Sequence, residues 1–212
     1  MKKAIPLLLA LAGPVWAGEV HSAKAPISQP QESCLDGWFV GASAGYLIDF
    51  EEPMYTAQFG RDLPMNLGGW CTAAYLELGY TDKSENRIVD LQRQVFINFD
   101  EELQVIPLTL NFKLERPITN NLNVFIGGGL GVAFTEFESH SLVAQIKQSD
   151  TVFAAQIFAG LTYNVSRDFQ VYGGARWIYV DFEAPTLPAP FGSSGLDFDS
   201  QAFIELGMRY HF

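Results

Sequence analysis

TVFAAQIFAGLTYNV, residues 151–165, carries the alternation that decides the fold. Phe153, Ala155, Ile157, Ala159, Leu161, Tyr163 and Val165 share one side of an extended chain, while Gln156, Gly160, Thr162 and Asn164 share the other. Neighbouring side chains of a strand point to opposite faces, so an apolar period of two marks strand and not helix. The same period recurs over eight runs: 38–50, 67–81, 88–99, 103–115, 122–137, 151–165, 169–182 and 201–212. Each exceeds the ~5–6 residues usual in globular sheets and suffices for the ~9–11 of a tilted membrane strand.

The connections sort by length. TDKSENR, RPITNN and SRD are short; EEPMYTAQFGRDLPM, the stretch around ESHSLVAQIKQ, and EAPTLPAPFGSSGLDFDS are long; DEE breaks the rule. Short turns at one end and long loops at the other belong to an up-and-down meander of the membrane type. The expected fold is all-β: an eight-stranded antiparallel up-and-down transmembrane β-barrel over residues 37–212.

Composition says which face looks outward. Hydrophobic residues make up 48% of the chain and charged residues only 17%. In 103–115, Leu108, Leu110, Phe112 and Leu114 oppose Thr109, Asn111 and Lys113. The polar faces hold too few charges for a wet exterior and collect glycine, as at Gly127, Gly129 and Gly131. Glycine suits the interior of an eight-stranded barrel, which is only wide enough to be filled by side chains. The apolar face therefore looks out into lipid. Aromatics fall into two sets, as the two bilayer interfaces require. Trp38, Tyr80, Tyr163, Phe169, Tyr210 and Phe212 lie beside the short turns; Phe50, Trp70, Phe99, Phe134, Phe153 and Tyr179 lie toward the long loops. Arg93 is the exception, since the register points it at lipid.

Lys2 and Lys3, an uncharged stretch to Ala17 and the small-residue pattern Val15-Trp16-Ala17 read as a secretory signal peptide, 1–17. Residues 18–36, with Pro26 and Pro30, read as a flexible periplasmic leader. Taking two lysines away moves the net charge from -11 to -13, which argues against nucleic acid as a partner. Cys34 precedes the first run and Cys71 lies near the far end of the second, so the two are expected to stay apart.

Charges inside such a barrel must be matched. The candidates for a lumen polar network are Glu77, Asp90, Lys113, Arg176, Glu205 and Arg209. Glu77, Lys113 and Arg209 are expected at similar depth, and Arg176 and Glu205 nearly opposite each other on adjacent strands. A paired plug and no open pore follows. Glu51, Glu52, Asp62, Asp100, Glu101, Glu102, Glu136, Glu138, Glu183, Asp197 and Asp199 are expected on the long-loop side, as a solvated surface or as carboxylates bridged by divalent cations to lipopolysaccharide. No catalytic, metal or cofactor site is assigned. His140 lies between Ser139 and Ser141, which a strand would turn to the opposite face, and His21 and His211 sit at the chain's ends.

GWFVGASAGY (37–46), IPLTLNFKL, FIGGGLGVAF, FAGLTYNV and GMRYHF together resemble the small outer-membrane β-barrel family of the OmpA/OmpX kind. The resemblance spans nearly the whole chain after residue 36. It implies a cell outer-membrane location and a terminal strand, marked by Met208, Tyr210 and Phe212, that the barrel-assembly machinery recognises. The expected function is structural and surface-interacting: a monomer among outer-membrane lipid and lipopolysaccharide, with loops open to host or phage surface ligands. The alternatives are a narrow channel or transporter for small or hydrophobic solutes, and a lipid-modifying enzyme.

Overall fold

In the computed structural model the period-two pattern becomes eight antiparallel strands: β1 (Trp38–Leu47), β2 (Glu52–Asn66), β3 (Cys71–Leu91), β4 (Val95–Pro117), β5 (Leu122–His140), β6 (Gln145–Asn164), β7 (Phe169–Val180) and β8 (Ser200–His211). Each pairs with its neighbour in sequence and β8 pairs with β1, closing the barrel. The structure describes Cys34 and residues 37–91, 95–140, 145–182 and 198–212, without the side chains of 87–91, 95–99 and 145. The signal and leader assignments (Cys34 excepted), Arg93, Glu183 and Asp197 lie outside the described residues, as do the side chains of Asp90 and Phe99.

The alternation in β6 resolves as expected: Phe153, Ile157, Leu161 and Tyr163 face outward while Ala154, Gln156, Phe158 and Thr162 are buried in the lumen. Outward leucines are bare, Leu206 at 75% and Leu110 at 61% exposure, whereas Glu77, Lys113, Arg176 and Glu205 are buried. Water would penalise that arrangement over so wide an apolar surface; hydrocarbon does not. Closure pairs the backbone groups all round, the requirement for crossing a bilayer with strands.

The eight strands are not the eight runs of the sequence reading. Residues 52–66, which the run pattern places in a long loop, form β2, and 88–99 is no separate strand. TDKSENR lies inside β3 and DEE inside β4. One strand missed and one surplus run, assembled from the outer ends of β3 and β4, leave the count unchanged. β2 was obscured by Pro53, Pro64 and the Arg61-Asp62 pair, yet Met54, Thr56, Gln58 and Gly60 face the lumen and Tyr55 and Phe59 face out. Its far end is set by Leu67-Gly68-Gly69-Trp70. Gly68 and Gly69 have φ of 63° and 89°. Leu67 and Trp70 exchange backbone bonds of 2.9 and 3.3 Å. Two successive positive φ values make the primed hairpin turn that matches strand twist, and glycine accepts them without strain.

Inserting β2 reverses the direction assumed for β3. Cys71 therefore starts at the short-turn end, beside the incoming chain, and is bonded to Cys34 with Cα atoms 5.2 Å apart. The expectation that these cysteines stay apart is corrected. By the same reversal Tyr80 pairs with Tyr55 in the long-loop half, while Trp70 and Asp62 move to the short-turn end.

Strand lengths are unequal. Pairing of β2 with β3 stops at Tyr55↔Tyr80, but β3–β4 pairing continues to Leu91↔Val95 and β5–β6 pairing to His140↔Gln145. Pairing of β6 with β7 ends at Ala154↔Val180. The outer parts of β3 to β6 thus stand beyond the rim as a four-stranded sheet. Side-chain polarity changes hands there. In β4 the outward residues Leu108, Leu110 and Phe112 give way above Pro107 to Gln104 and Glu102, and the lumen-facing Thr109 and Asn111 give way to Val105 and Leu103. The exchange marks where lipid ends and water begins.

The disulfide closes a loop of sequence separation 37. Loop-closure entropy assigns it ~4 kcal/mol. Reduction, or Cys71→Ser, is expected to lower the urea midpoint of the detergent-folded barrel without preventing folding; identical midpoints with and without reductant would contradict the link.

Candidate functional site

The lumen is filled in tiers, and every strand supplies side chains or room for them. β5 supplies room. A Cβ on Gly127 would collide with the Phe158 ring, and one on Gly129 with the Asn111 amide. These glycines let large groups from other strands reach the axis.

The central tier is built on Arg176 of β7. Its Nη1 donates to Glu77 Oε1 and, at 2.9 Å, to Gln156 Oε1. Its Nη2 donates to Glu205 Oε1 at 2.7 Å and to Glu77 Oε2 at 3.2 Å. Both carboxylates are otherwise satisfied: Gln58 and Gln156 donate to Glu77 at 2.8 and 2.9 Å, and Ser43 to Glu205 at 2.7 Å. Gln156 also donates to Asn111 Oδ1 at 2.6 Å. Arg209 donates to Gln58 Oε1 at 3.0 Å, its guanidinium 4.6 Å from the Phe39 ring centre and 5.0 Å from that of Tyr172. Aromatic faces supply negative potential where no carboxylate does. Two arginines and two glutamates leave the tier formally neutral, which is what a buried network requires.

Apolar groups lie on the long-loop side of this network. Leu47, Met54, Leu103, Val105, Ile178 and Phe203 are buried there, with Phe50 against Phe198 at 4.8 Å between ring centres. Phe39, Tyr75, Phe125, Phe158 and Tyr172 form an aromatic tier on the short-turn side. At that mouth Lys113 pairs with Glu115, Asn123 donates to Glu115 at 2.6 Å, and His211 Nε2 lies 2.9 Å from Asp62.

Of the residues chosen from sequence, Glu77, Arg176 and Glu205 meet directly, Arg209 joins them through Gln58, and Lys113 stands apart with Glu115. Glu77 does not share the depth of Lys113: its cross-strand neighbour is Thr109, while that of Lys113 is Ala73, nearer the mouth. Met208, Tyr210 and Phe212 all face outward on β8 or at its end. The linking glutamines were missed because Gln58 belongs to the overlooked β2 and Gln156 carries no charge. The apolar tier was missed because its signal is a reversal of alternation along β4, and no motif marks it.

The acidic rim is only partly as expected. Glu101 is buried on the inner face of the projecting sheet, and Asp62 sits at the opposite mouth. On the outward face Lys147 bridges Glu136 and Glu138, the latter at 2.5 Å. Lys147, bonded by both carboxylates, holds its proton well above the usual ammonium range, and Lys147 followed by His140 pulls Glu138 below the usual carboxylate range. His140 lies 3.2 Å from Glu138, whereas neighbouring Ser139 is buried on the opposite face of the sheet. Among the described residues, no group of three or more His, Cys, Asp or Glu is placed to hold a metal.

No family model matches the chain, and no curated protein sequence does. Solved structures do. A major outer membrane protein from Thermus thermophilus aligns over 84% of this chain and 100% of its own, with a TM-score of 0.58 and 13% identity. Neisserial surface protein A aligns over 83% and 97%, with a TM-score of 0.51 and 13% identity. The fold is that of a small outer-membrane β-barrel. The outer membrane enzyme PagL also aligns, over 82% and 99%, with a TM-score of 0.46 and 15% identity. At these identities the likeness extends to fold alone.

Arg176→Met would strand Glu77 and Glu205 without a counter-charge. Removing one partner of a buried ion pair costs ~3–5 kcal/mol, whereas replacing the whole set by neutral groups costs far less. Arg176→Met should therefore lower the urea midpoint strongly, and adding Glu77→Gln, which leaves Glu205 to balance Arg209, should restore most of the loss. Equal midpoints for wild type and the single variant would contradict the network's weight.

Proposed function

We propose that the protein is a monomeric structural and surface-display barrel of a bacterial outer membrane, with a closed lumen and an acidic sheet presented beyond the lipid. The observation that carries this reading is the stacking of three filled tiers, apolar, ionic and aromatic, across the barrel. A solute path would have to part Phe50 from Phe198, separate Arg176 from both glutamates and displace Arg209 from its aromatic seat. The outward face of the projecting sheet, with Glu102, Glu136, Glu138 and Lys147, is the surface offered to lipopolysaccharide or to host or phage ligands. Met208, Tyr210 and Phe212 are the side chains offered to the barrel-assembly machinery. The reading includes no catalytic step, in keeping with the separation of Ser139 from His140 across the sheet.

Refolded protein in planar bilayers is expected to give no discrete conductance steps while showing the heat-dependent gel shift of a folded barrel. Steady ohmic conductance from shifted material would overturn the reading in favour of a narrow channel. Unchanged lipid A mass spectra on expression are expected as well, and loss of an acyl chain would assign an enzyme instead.

A further inference from the structure

The lipid-facing wall is not evenly studded. Between β4 and β7 it carries a groove of about 580 Å³, floored by Gly128 and Ala155 and walled by Phe112, Leu130, Ile157 and Trp177. Gly128 differs from its neighbours Gly127 and Gly129. Its side-chain direction is outward, and a Cβ there would meet only Gln156 O at 3.1 Å and Ile157 Cγ2 at 3.6 Å. Packing in the lumen therefore does not demand glycine at 128; its smallness leaves a channel at hydrocarbon depth. Four residues from Phe112 along the same outward row of β4 lies Arg116, exposed at the short-turn rim. At ~3.3 Å per residue that is ~13 Å along the strand, or ~9 Å of depth at a ~45° tilt, a span within one leaflet. The register Cys71↔Glu115 brings Trp70, a residue type favoured at membrane interfaces, alongside Arg116. Among the described residues no carboxylate pairs with Arg116, whereas the lumen cations Lys113 and Arg176 each meet one and Arg209 is held by Gln58 and aromatic faces.

We propose that this strip is a binding site for one phospholipid of the periplasmic leaflet, its phosphate held by Arg116 and one acyl chain laid along β4 and β5 into the groove over Gly128. The proposal rests on the membrane-spanning reading above. Charge and depth together choose the occupant. A guanidinium at a bilayer interface meets phosphate and forms charge-assisted bonds with it, and a groove opening into hydrocarbon meets an acyl chain. Lipopolysaccharide belongs to the opposite rim, where the outward groups are mostly acidic. A free phosphate would use Arg116 but leave the groove without effect.

The test is native mass spectrometry of the folded barrel with added phosphatidylglycerol, insertion being scored separately by the heat-shift gel. Wild type should retain one lipid. Arg116→Gln, which removes a charge-assisted bond, and Gly128→Leu, which fills the groove, should each lower retention by about tenfold, while Arg167→Gln in the β6–β7 turn should not. Excess inorganic phosphate should not displace the lipid. Retention by both variants, or loss in Arg116→Gln alone, overturns the proposal, the second outcome leaving a headgroup contact with no seated chain. Failure of the gel shift in wild type would instead count against the barrel reading itself.

Discussion

A guanidinium held at the axis of a barrel wrapped in hydrocarbon is the demand around which this molecule is arranged. Arg176 has no water to solvate it at 1% side-chain exposure, so its charge must be answered by protein. Glu77 and Glu205 answer it from β3 and β8, two strands that do not pair with each other. The Arg176–Glu77 pair thereby crosses the lumen between strands that the hydrogen-bond ladder leaves separate, while Arg176–Glu205 ties β7 to its neighbour β8. Gln58 and Gln156 use up the remaining oxygens, and the glycines of β5 clear the space in which the network lies. Remove the central cation and two carboxylates are left buried in a medium that cannot screen them.

The same solvent logic explains the change of polarity along β4 and β5. Below Pro107 the exterior is greasy and the interior polar; above it the order is that of a water-soluble sheet, with Leu103, Val105 and Phe137 inside and Glu102, Glu136 and Glu138 outside. One continuous strand thus reports two environments. The apolar tier belongs to the wet end, where it buries hydrophobic surface in the ordinary way and also closes the outer mouth. The ionic tier belongs to the lipid-girdled part, where matched charge fills a space that needs no further greasy lining.

Much of this was legible in the sequence because period-two alternation and glycine placement are local signals. The outward side of 151–165 and the lumen position of Arg176 and Glu205 follow from alternation alone. Strand direction is not local. β2 was passed over because prolines and a charged pair break its outward row, although Gly68-Gly69 between Leu67 and Trp70 is a hairpin signal that would have revealed it. That one omission misplaced Cys71, Tyr80 and Asp62 by a whole membrane thickness, and with Cys71 went the disulfide. TDKSENR and DEE read as connections because they interrupt the apolar alternation with charge, yet they lie where β3 and β4 continue past the lipid into water, and a strand there accommodates charge.

The account depends on which side of the ribbon meets hydrocarbon. Nitroxide labels placed singly at Leu110, Ile157 and Leu206 in bilayer-inserted protein, read by collision with oxygen and with a water-soluble nickel chelate, test this directly. High oxygen and negligible nickel contact at all three sites is the expected result. Strong nickel contact there, or immobile labels shielded from both reagents, would mean that these side chains face water or a protein core, and the inside-out barrel would have to be abandoned.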